Sequence, residues 1–328
     1  MELYPLTFEP ILKQRVWGGR KLEQLYQKQL PPGVPVGESW EICDRPEDVS
    51  LISNGRLAGK DLHWLIERAG PELLGNAQLH RGRFPLLIKI LDAREKLSLQ
   101  VHPPAGQAAE LGGEPKTELW YVAQAAPDSE LYVGLRRGCT RAEFAQRIRA
   151  GTVAECFHRV PVRAGDVMFL PSGRVHALGS GMVIFEIQQN SDTTYRVFDW
   201  NRTGLDGKPR DLHIKESLES IDFEDFEPRL VQPRERPGAA HFSSLVSDPL
   251  FTVDLAKIKG GESLAIPSGK MQILGIISGD VQVGAAGKDV LLVRGQFCLV
   301  PASLAGVVVR AQNAAEFLCV GAGEKAAL

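Results

Sequence analysis

None of the five cysteines (Cys43, Cys139, Cys156, Cys298 and Cys319) stands in a C-x-x-C pair. That excludes a disulfide scaffold and a thiolate metal knuckle, and predicts reduced, buried thiols in a cytoplasmic protein. No apolar run reaches the roughly 18 residues of a spanning helix, and the opening MELYPLTFEP has no basic-then-apolar signal. A membrane or secretory role is therefore not expected. Charge of one sign is lacking as well. Lys and Arg number 38 against 40 Asp and Glu, a net −2, which argues against nucleic-acid and membrane-surface partners. Histidine is scarce at 7 residues, so a regular spacing around one of them carries weight.

Turn formers are plentiful: Gly 33 and Pro 21 in 328 residues break the chain into short strands. The length suits about two domains. The densest pattern is GDVMFLPSGRVHALGSGMVIFEIQQNSDTTYRVFDW, from Gly165 to Trp200. Val167 to Leu170 read as a buried strand, Pro171-Ser172-Gly173 as a turn, and Met182 to Ile187 as a second strand carrying Glu186. The spacing of Gly165, Pro171, Gly173 and His176 resembles the second conserved motif of the cupin superfamily. That resemblance implies a small double-sheet barrel with His176 directed inward to a metal.

Upstream, strand alternation puts Ser98, Gln100 and His102 of KLSLQVHPP on one face and Leu97, Leu99 and Val101 on the other. Polar side chains inside an apolar barrel call for a metal or a polar substrate. The outer face of an edge strand is the plain alternative. Lys116 and Glu118 share a face of the next strand, KTELWYV. The inward candidates are then Gln100, His102, Glu118 and His176. Two imidazoles, a carboxylate and an amide oxygen suit a borderline divalent ion, with one zinc per chain as the first choice and iron as the alternative.

The helices read as decoration of this barrel. Asp61 is a candidate cap for a helix that Gly70-Pro71 should end, and Thr140 with Glu143 forms a capping box closed by Gly151. The Phe84–Leu91 run should be a buried strand. Near Phe223–Pro237 the composition turns acidic and then Pro/Arg-rich, marking a linker. Gly295 to Pro301 then repeats the Gly-x5-Pro spacing, but the position of the ligand histidine is Gly306, and Met271–Ser278 offers no acid. The expectation is mainly β: two cupin-type jelly-roll barrels, the first decorated with short helices. Residues 1–235 would be the catalytic metal-binding domain and 236–328 a degenerate, metal-free copy.

LSLQVHP at 97–103, KTELWYV at 116–122, PSGRVHALG at 171–179 and SDTTYRVFDW at 191–200 together resemble the type I mannose-6-phosphate isomerases, or phosphomannose isomerases. GESWEICD at 37–44 and VWGG at 16–19 are similar to their shorter bacterial branch. The resemblance implies an enzyme interconverting mannose 6-phosphate and fructose 6-phosphate through an enediol, with a phosphorylated sugar as partner. It implies zinc ligation by Gln100, His102, Glu118 and His176, catalytic roles for Arg196, Glu186 and Lys116, and a sugar-phosphate pocket lined by Ser98, Lys116 and Arg196. A bracing Arg196 would instead pair with Glu186, Asp192 or Asp199. The general cupin first motif has a second histidine and a glycine after the acid, where this chain has one histidine and Ala125. That departure fits the isomerases better than a metal-dependent cupin oxygenase. A catalytically silent sugar-phosphate-binding cupin is the other alternative. Oligomeric state is not legible.

Overall fold

The computed structural model describes residues 1–236, 238–285 and 287–323, so the last five residues of the expected second domain lie outside the described residues. The architecture is mainly β. In chain order the first eleven strands are β1 (Ile11–Gly19), β2 (Val36–Ile42), β3 (Leu86–Ala93), β4 (Leu99–Val101), β5 (Glu118–Ala125), β6 (Glu130–Leu135), β7 (Phe157–Pro161), β8 (Val167–Leu170), β9 (His176–Leu178), β10 (Met182–Gln189) and β11 (Tyr195–Phe198). They form a six-stranded sheet, β1-β2-β3-β10-β5-β8, and a five-stranded sheet, β11-β4-β9-β6-β7. Side chains from both sheets share one core: Leu91, Trp120, Val122, Met168, Met182 and Ile184 from the first, Leu131, Val133 and Leu178 from the second.

Alternation explains how this core gives way to a site. On β10 the inward residues are Met182, Ile184, Glu186 and Gln188, and on β5 they are Val122, Trp120 and Glu118. Glu186 lies opposite Trp120 and Gln188 opposite Glu118. The shared inner face is thus apolar at one end and carries carboxylates at the other.

Ten further strands follow: β12 (Arg234–Glu235), β13 (Phe242–Ser247), β14 (Phe251–Ile258), β15 (Ser263–Ala265), β16 (Gln272–Ser278), β17 (Val281–Ala285), β18 (Lys288–Leu292), β19 (Phe297–Val300), β20 (Val308–Ala311) and β21 (Ala315–Ala322). Their sheets are β12-β13-β14-β21-β16-β19 and β15-β20-β17-β18, again with one shared apolar core. Gly306 does not stand on the strand that takes the place of β9. It lies in the preceding turn at φ 68°, and the inward residues of β20 are Val309 and Ala311. The Gly-x5-Pro spacing recurs, but the turn after Pro301 has its own length, so counting from it misses the strand.

Two compact units emerge, neither continuous in sequence. One comprises Met1–Ile11, Trp40–Ile88 and Gln232–Leu328, the other Leu12–Ser39 and Lys89–Val231. In the first, Leu6 exchanges backbone hydrogen bonds with Leu299 at 2.9 and 2.8 Å, laying the N-terminal segment along β19. The same unit holds the helix Leu62–Leu74, whose cap is Asp61, accepting from the Trp64 amide at 2.6 Å. The expected stop at Gly70-Pro71 is a break at Ala69 (φ −147°, ψ 34°), directly followed by a second helical segment. Pro71 falls in the first turn of that segment, where a missing N–H costs nothing. In the second unit, Thr140 caps Arg141–Ala150 as expected and Gly151 closes it at φ 70°. No helix among the described residues is long and apolar enough to cross a membrane.

Candidate metal centre and active site

His102, Glu118 and His176 converge from the ends of β4, β5 and β9, all fully buried, with donor atoms within 4.8 Å of one another. Among the described residues no other group of three such donors occurs. Glu118 Oε1 lies 3.2 Å from His176 Nε2, and Glu118 Oε2 lies 3.7 Å from His102 Nε2. Each imidazole donates its Nδ1–H to a backbone carbonyl, His102 to Thr193 at 2.8 Å and His176 to Arg174 at 2.9 Å. That fixes the tautomer and leaves both Nε2 lone pairs facing Glu118. The Thr193 carbonyl is itself held by a braced loop, since Gln188 Nε2 donates to Ser191 O at 2.6 Å.

The electrostatics favour neutral imidazoles beside an ionised carboxylate. Burial, aided by the nearby Lys116 ammonium, pushes His102 down to about 3. Burial also lowers His176. Burial acts to raise Glu118, but Lys116 and the two imidazoles override it and hold the carboxyl well below its ordinary value. Lys116 Nζ sits 2.7 Å from Glu118 Oε2. Even so, His102 Nε2 and both Glu118 oxygens are buried without a hydrogen-bond partner of acceptable geometry. These three orphaned atoms, one imidazole nitrogen and two carboxylate oxygens, together with the neighbouring His176 Nε2, are a donor set for a divalent cation. Gln100, opposite His176 on β4, places its side-chain amide 3.2 Å from His176 Nε2. The contact is made by Nε2, which donates to the imidazole, while Oε1 accepts from Ser98 Oγ at 3.5 Å, so its oxygen would join the set only with the carboxamide turned over.

Beside these residues opens a cavity of about 520 Å³. Ser98, Gln100, Lys116, Glu186 and Arg196 all line it, so the cavity gathers the remaining sequence candidates. Glu186 Oε1 accepts from Trp120 Nε1 at 2.8 Å, and its Oε2 lies 3.2 Å from Lys89 Nζ. Burial raises the Glu186 carboxyl, with Lys89 and Lys116 opposing. Arg196 has no carboxylate within ion-pair distance among the described residues; it donates Nη1 to Asp211 O at 2.9 Å, and its buried Nε has no partner. Asp199, one of the bracing candidates, is taken by Arg202 at 2.8 Å and Arg210 at 2.6 Å.

Sequence reasoning missed Lys89 and Arg15, and left Glu38, one of two acids flanking Trp40, as a solvated strand face. Lys89 is buried on β3, 4.0 Å from Glu38 as well as 3.2 Å from Glu186. Arg15 holds Glu38 at 2.7 Å. The signal for Lys89 was one charge inside the apolar run FPLLIKIL, since a buried ammonium needs a partner. Trp17 also lines the cavity, and Gly37 makes room for it: a Cβ there would come within 2.6 Å of Arg15 Cβ and 2.7 Å of the Trp17 ring.

The profile described as "Phosphomannose isomerase type I, catalytic domain" matches residues 6–116. Among curated relatives, "Probable mannose-6-phosphate isomerase GmuF" of Bacillus subtilis is 37% identical over 284 residues, spanning 85% of this chain and 88% of that protein. "Mannose-6-phosphate isomerase ManA" of the same organism is 38% identical over 269 residues, spanning 80% and 82%. The crystal structure of the mannose 6-phosphate isomerase from Bacillus subtilis superposes with a TM-score of 0.86 at 29% identity, covering 97% of this chain and 99% of that one. The fold is therefore the cupin fold of that enzyme. With the donor cluster and cavity lying where the matched motifs converge, the chain belongs to the type I mannose-6-phosphate isomerase family.

Proposed function

We propose that this protein interconverts mannose 6-phosphate and fructose 6-phosphate with one zinc ion per chain, held by His102, Glu118 and His176 with Gln100 as a fourth donor. The observation that carries the reading is the set of orphaned atoms, His102 Nε2 and Glu118 Oε1 and Oε2, together with the unpartnered Arg196 Nε of the adjoining cavity. The metal, when bound, supplies Lewis acidity toward sugar oxygens. Two neutral imidazoles and an amide fit zinc better than a harder cation, and the closed second shell of carbonyls suits a resident ion.

Aldose–ketose interconversion moves a proton between C1 and C2 of the sugar. Glu186 is assigned that transfer. Its carboxyl is raised by burial, which brings a carboxylate closer to the working range of a general base. Lys89 and the Trp120 N–H hold it in place and limit that rise. Lys116, fixed against Glu118, donates toward the sugar oxygens where negative charge develops. Arg196 binds the enediolate or the phosphate through its free Nε, and Ser98 lines the pocket beside it. Residues 1–235 are proposed as the metal-binding, catalytic part and 236–328 as a metal-free one, each completing a jelly-roll barrel, in a cytoplasmic enzyme.

Metal analysis and a coupled mannose 6-phosphate assay on the purified protein test this reading. Stoichiometric zinc with turnover is expected. Zinc-loaded protein with no isomerisation would return it to a silent sugar-phosphate binder, and iron with oxygen uptake to an oxygenase.

A further inference from the structure

The turn at 171–174, which leads from β8 into β9, makes a bond toward each of the three strands that carry the buried donors. Ser172 N–H donates at 3.2 Å to Oγ1 of Thr117, the residue before Glu118. Gly173 N–H donates to the backbone carbonyl of His102 at 2.8 Å. The Arg174 carbonyl accepts the Nδ1–H of His176 at 2.9 Å. Gly173 supplies the left-handed φ of 93° that lets one short turn face several ways. The spacing of His102, Glu118 and His176 therefore follows the position of this turn.

The turn is clamped from outside by the chain at 222–225, where the composition first reads as a linker. Asp222 N–H donates to Gly173 O at 2.9 Å. Asp225 takes the Arg174 guanidinium in a two-pronged pair, Nε to Oδ2 at 2.8 Å and Nη2 to Oδ1 at 2.7 Å. Arg174 Nη1 donates to Phe169 O at 2.7 Å, so the guanidinium is held on two sides. The two side chains are only 17% and 16% exposed, which shelters the pair from the screening that weakens surface ion pairs.

The clamping segment has its own anchors. Leu135 N–H donates to Asp225 O and Glu227 N–H to Leu135 O, each at 2.9 Å, in a short parallel bridge onto β6. Ile221, Phe223 and Phe226 pack with Leu99, Val101 and Ala177. A segment anchored in this way stays in place without the Asp225 carboxylate. What the carboxylate adds is orientation, because a fork of two parallel hydrogen bonds fixes an angle as well as a distance.

We propose that Asp225 is a positioning residue of the metal centre: through Arg174 it fixes the turn that spaces His102, Glu118 and His176, and so sets how tightly the site holds its ion. The inference rests on the metal reading given above and extends it to residues outside the ligand set. Groups that orient metal ligands typically cost roughly 10–100-fold in metal affinity when removed.

Competition for zinc between the protein and a chromophoric chelator tests the proposal, with folding followed by circular dichroism. In Asp225→Ala the zinc dissociation constant should rise at least about tenfold in folded protein. Arg174→Lys, which keeps the charge and loses the fork, should act in the same direction. Asp225→Asn, the gentler exchange, carries the test if the alanine variant does not fold, and the same rise is expected. Because Asp225 acts through Arg174, the double variant Arg174→Lys/Asp225→Ala should bind zinc no more weakly than the weaker single one. Val309→Ala, destabilised in the other compact unit, should hold zinc as the wild type does. An unchanged dissociation constant in the folded Asp225 and Arg174 variants, beside a wild type with one zinc per chain, overturns the positioning role and leaves the metal reading standing. Losses that add in the double variant, or that Val309→Ala shares, overturn it too. A wild type that takes up no zinc overturns the metal reading itself.

Discussion

The two double sheets share a strand order and differ in what their inner faces can tolerate. In the first, β5 and β10 turn Glu118 and Glu186 inward, with Lys89 and Lys116 buried beside them. In the second, the matching ladder carries Gln272 and Cys319, and β20 turns Val309 into the core. The second set shows that the topology does not require buried charge. Each buried ion costs several kcal/mol of desolvation, recovered only where partners are well placed. Glu118 and Glu186, kept under that penalty in one copy and replaced by Gln272 and Cys319 in the other, mark the first copy's polar end as a place where chemistry outweighs stability.

The contrast can be broken most severely at His176. His176→Ala should abolish stoichiometric metal and lower turnover at least roughly 10³-fold, read by metal analysis and the coupled assay; retained metal would remove the histidine from the ligand set. Lys89→Met comes next. It leaves Glu186 and Glu38 without their shared ammonium, so stability should fall by about 3–5 kcal/mol in urea unfolding, with turnover lost alongside. An unchanged unfolding midpoint would mean the lysine is dispensable to both carboxylates. Arg196→Ala should lower kcat about 10²-fold with metal and melting temperature preserved; a rise in KM at constant kcat would instead assign Arg196 to uniform phosphate binding.

The smaller effects sharpen the comparison from the other side. Val309→Ala, at an inward position of β20, should cost about 2 kcal/mol of stability through lost burial and leave kcat unchanged. A drop in kcat in folded protein would bring the second double sheet into the reaction. Finally, Asp199 and Asp254 should titrate with opposite sign. Burial acts to raise Asp199, but Arg210 and Arg202 override it, and its folded pKa lies below the ordinary value. Its stabilisation is therefore present above the unfolded aspartate pKa and lost as pH falls. Burial of Asp254 outweighs Arg236 and raises it, so stability is lost as pH climbs through that carboxyl. Wild-type stability relative to the Asn variant should increase with pH for Asp199→Asn over about pH 2–5, and decrease for Asp254→Asn over about pH 3–6. Parallel slopes in pH-dependent unfolding would contradict the assignment.

The sequence made the donors legible because each sits in a short local motif: His102 beside the Pro pair, Glu118 on an alternating strand, His176 at a fixed distance past Pro171. The mainly β architecture was legible for the same reason, through its regular turns. Lys89 was not, because its meaning lies in Glu186 and Glu38, which only the sheet brings to it. Gly306 misled because a turn conserves its Gly and Pro while changing its length, and only the ladder shows which residue reaches the core. Pro71 was half legible, because a proline marks a helix stop or a helix start: the first helix breaks at Ala69, and the segment that starts with Pro71 in its first turn was not foreseen.

The pairing of Leu6 with Leu299 also sets an order of events during synthesis. The segment around Leu6 is made long before its hydrogen-bonding partner on β19. Trp40–Ile88 belongs to the same compact unit and must wait with it for Gln232–Leu328. Such long-range closure is slow, and the apolar residues of the early pieces stay uncovered meanwhile. The intervening unit, Leu12–Ser39 with Lys89–Val231, has all its parts earlier. A nascent chain halted before residue 232 would therefore hold every proposed ligand and catalytic side chain while two stretches of its N-terminal third remained open to chaperones.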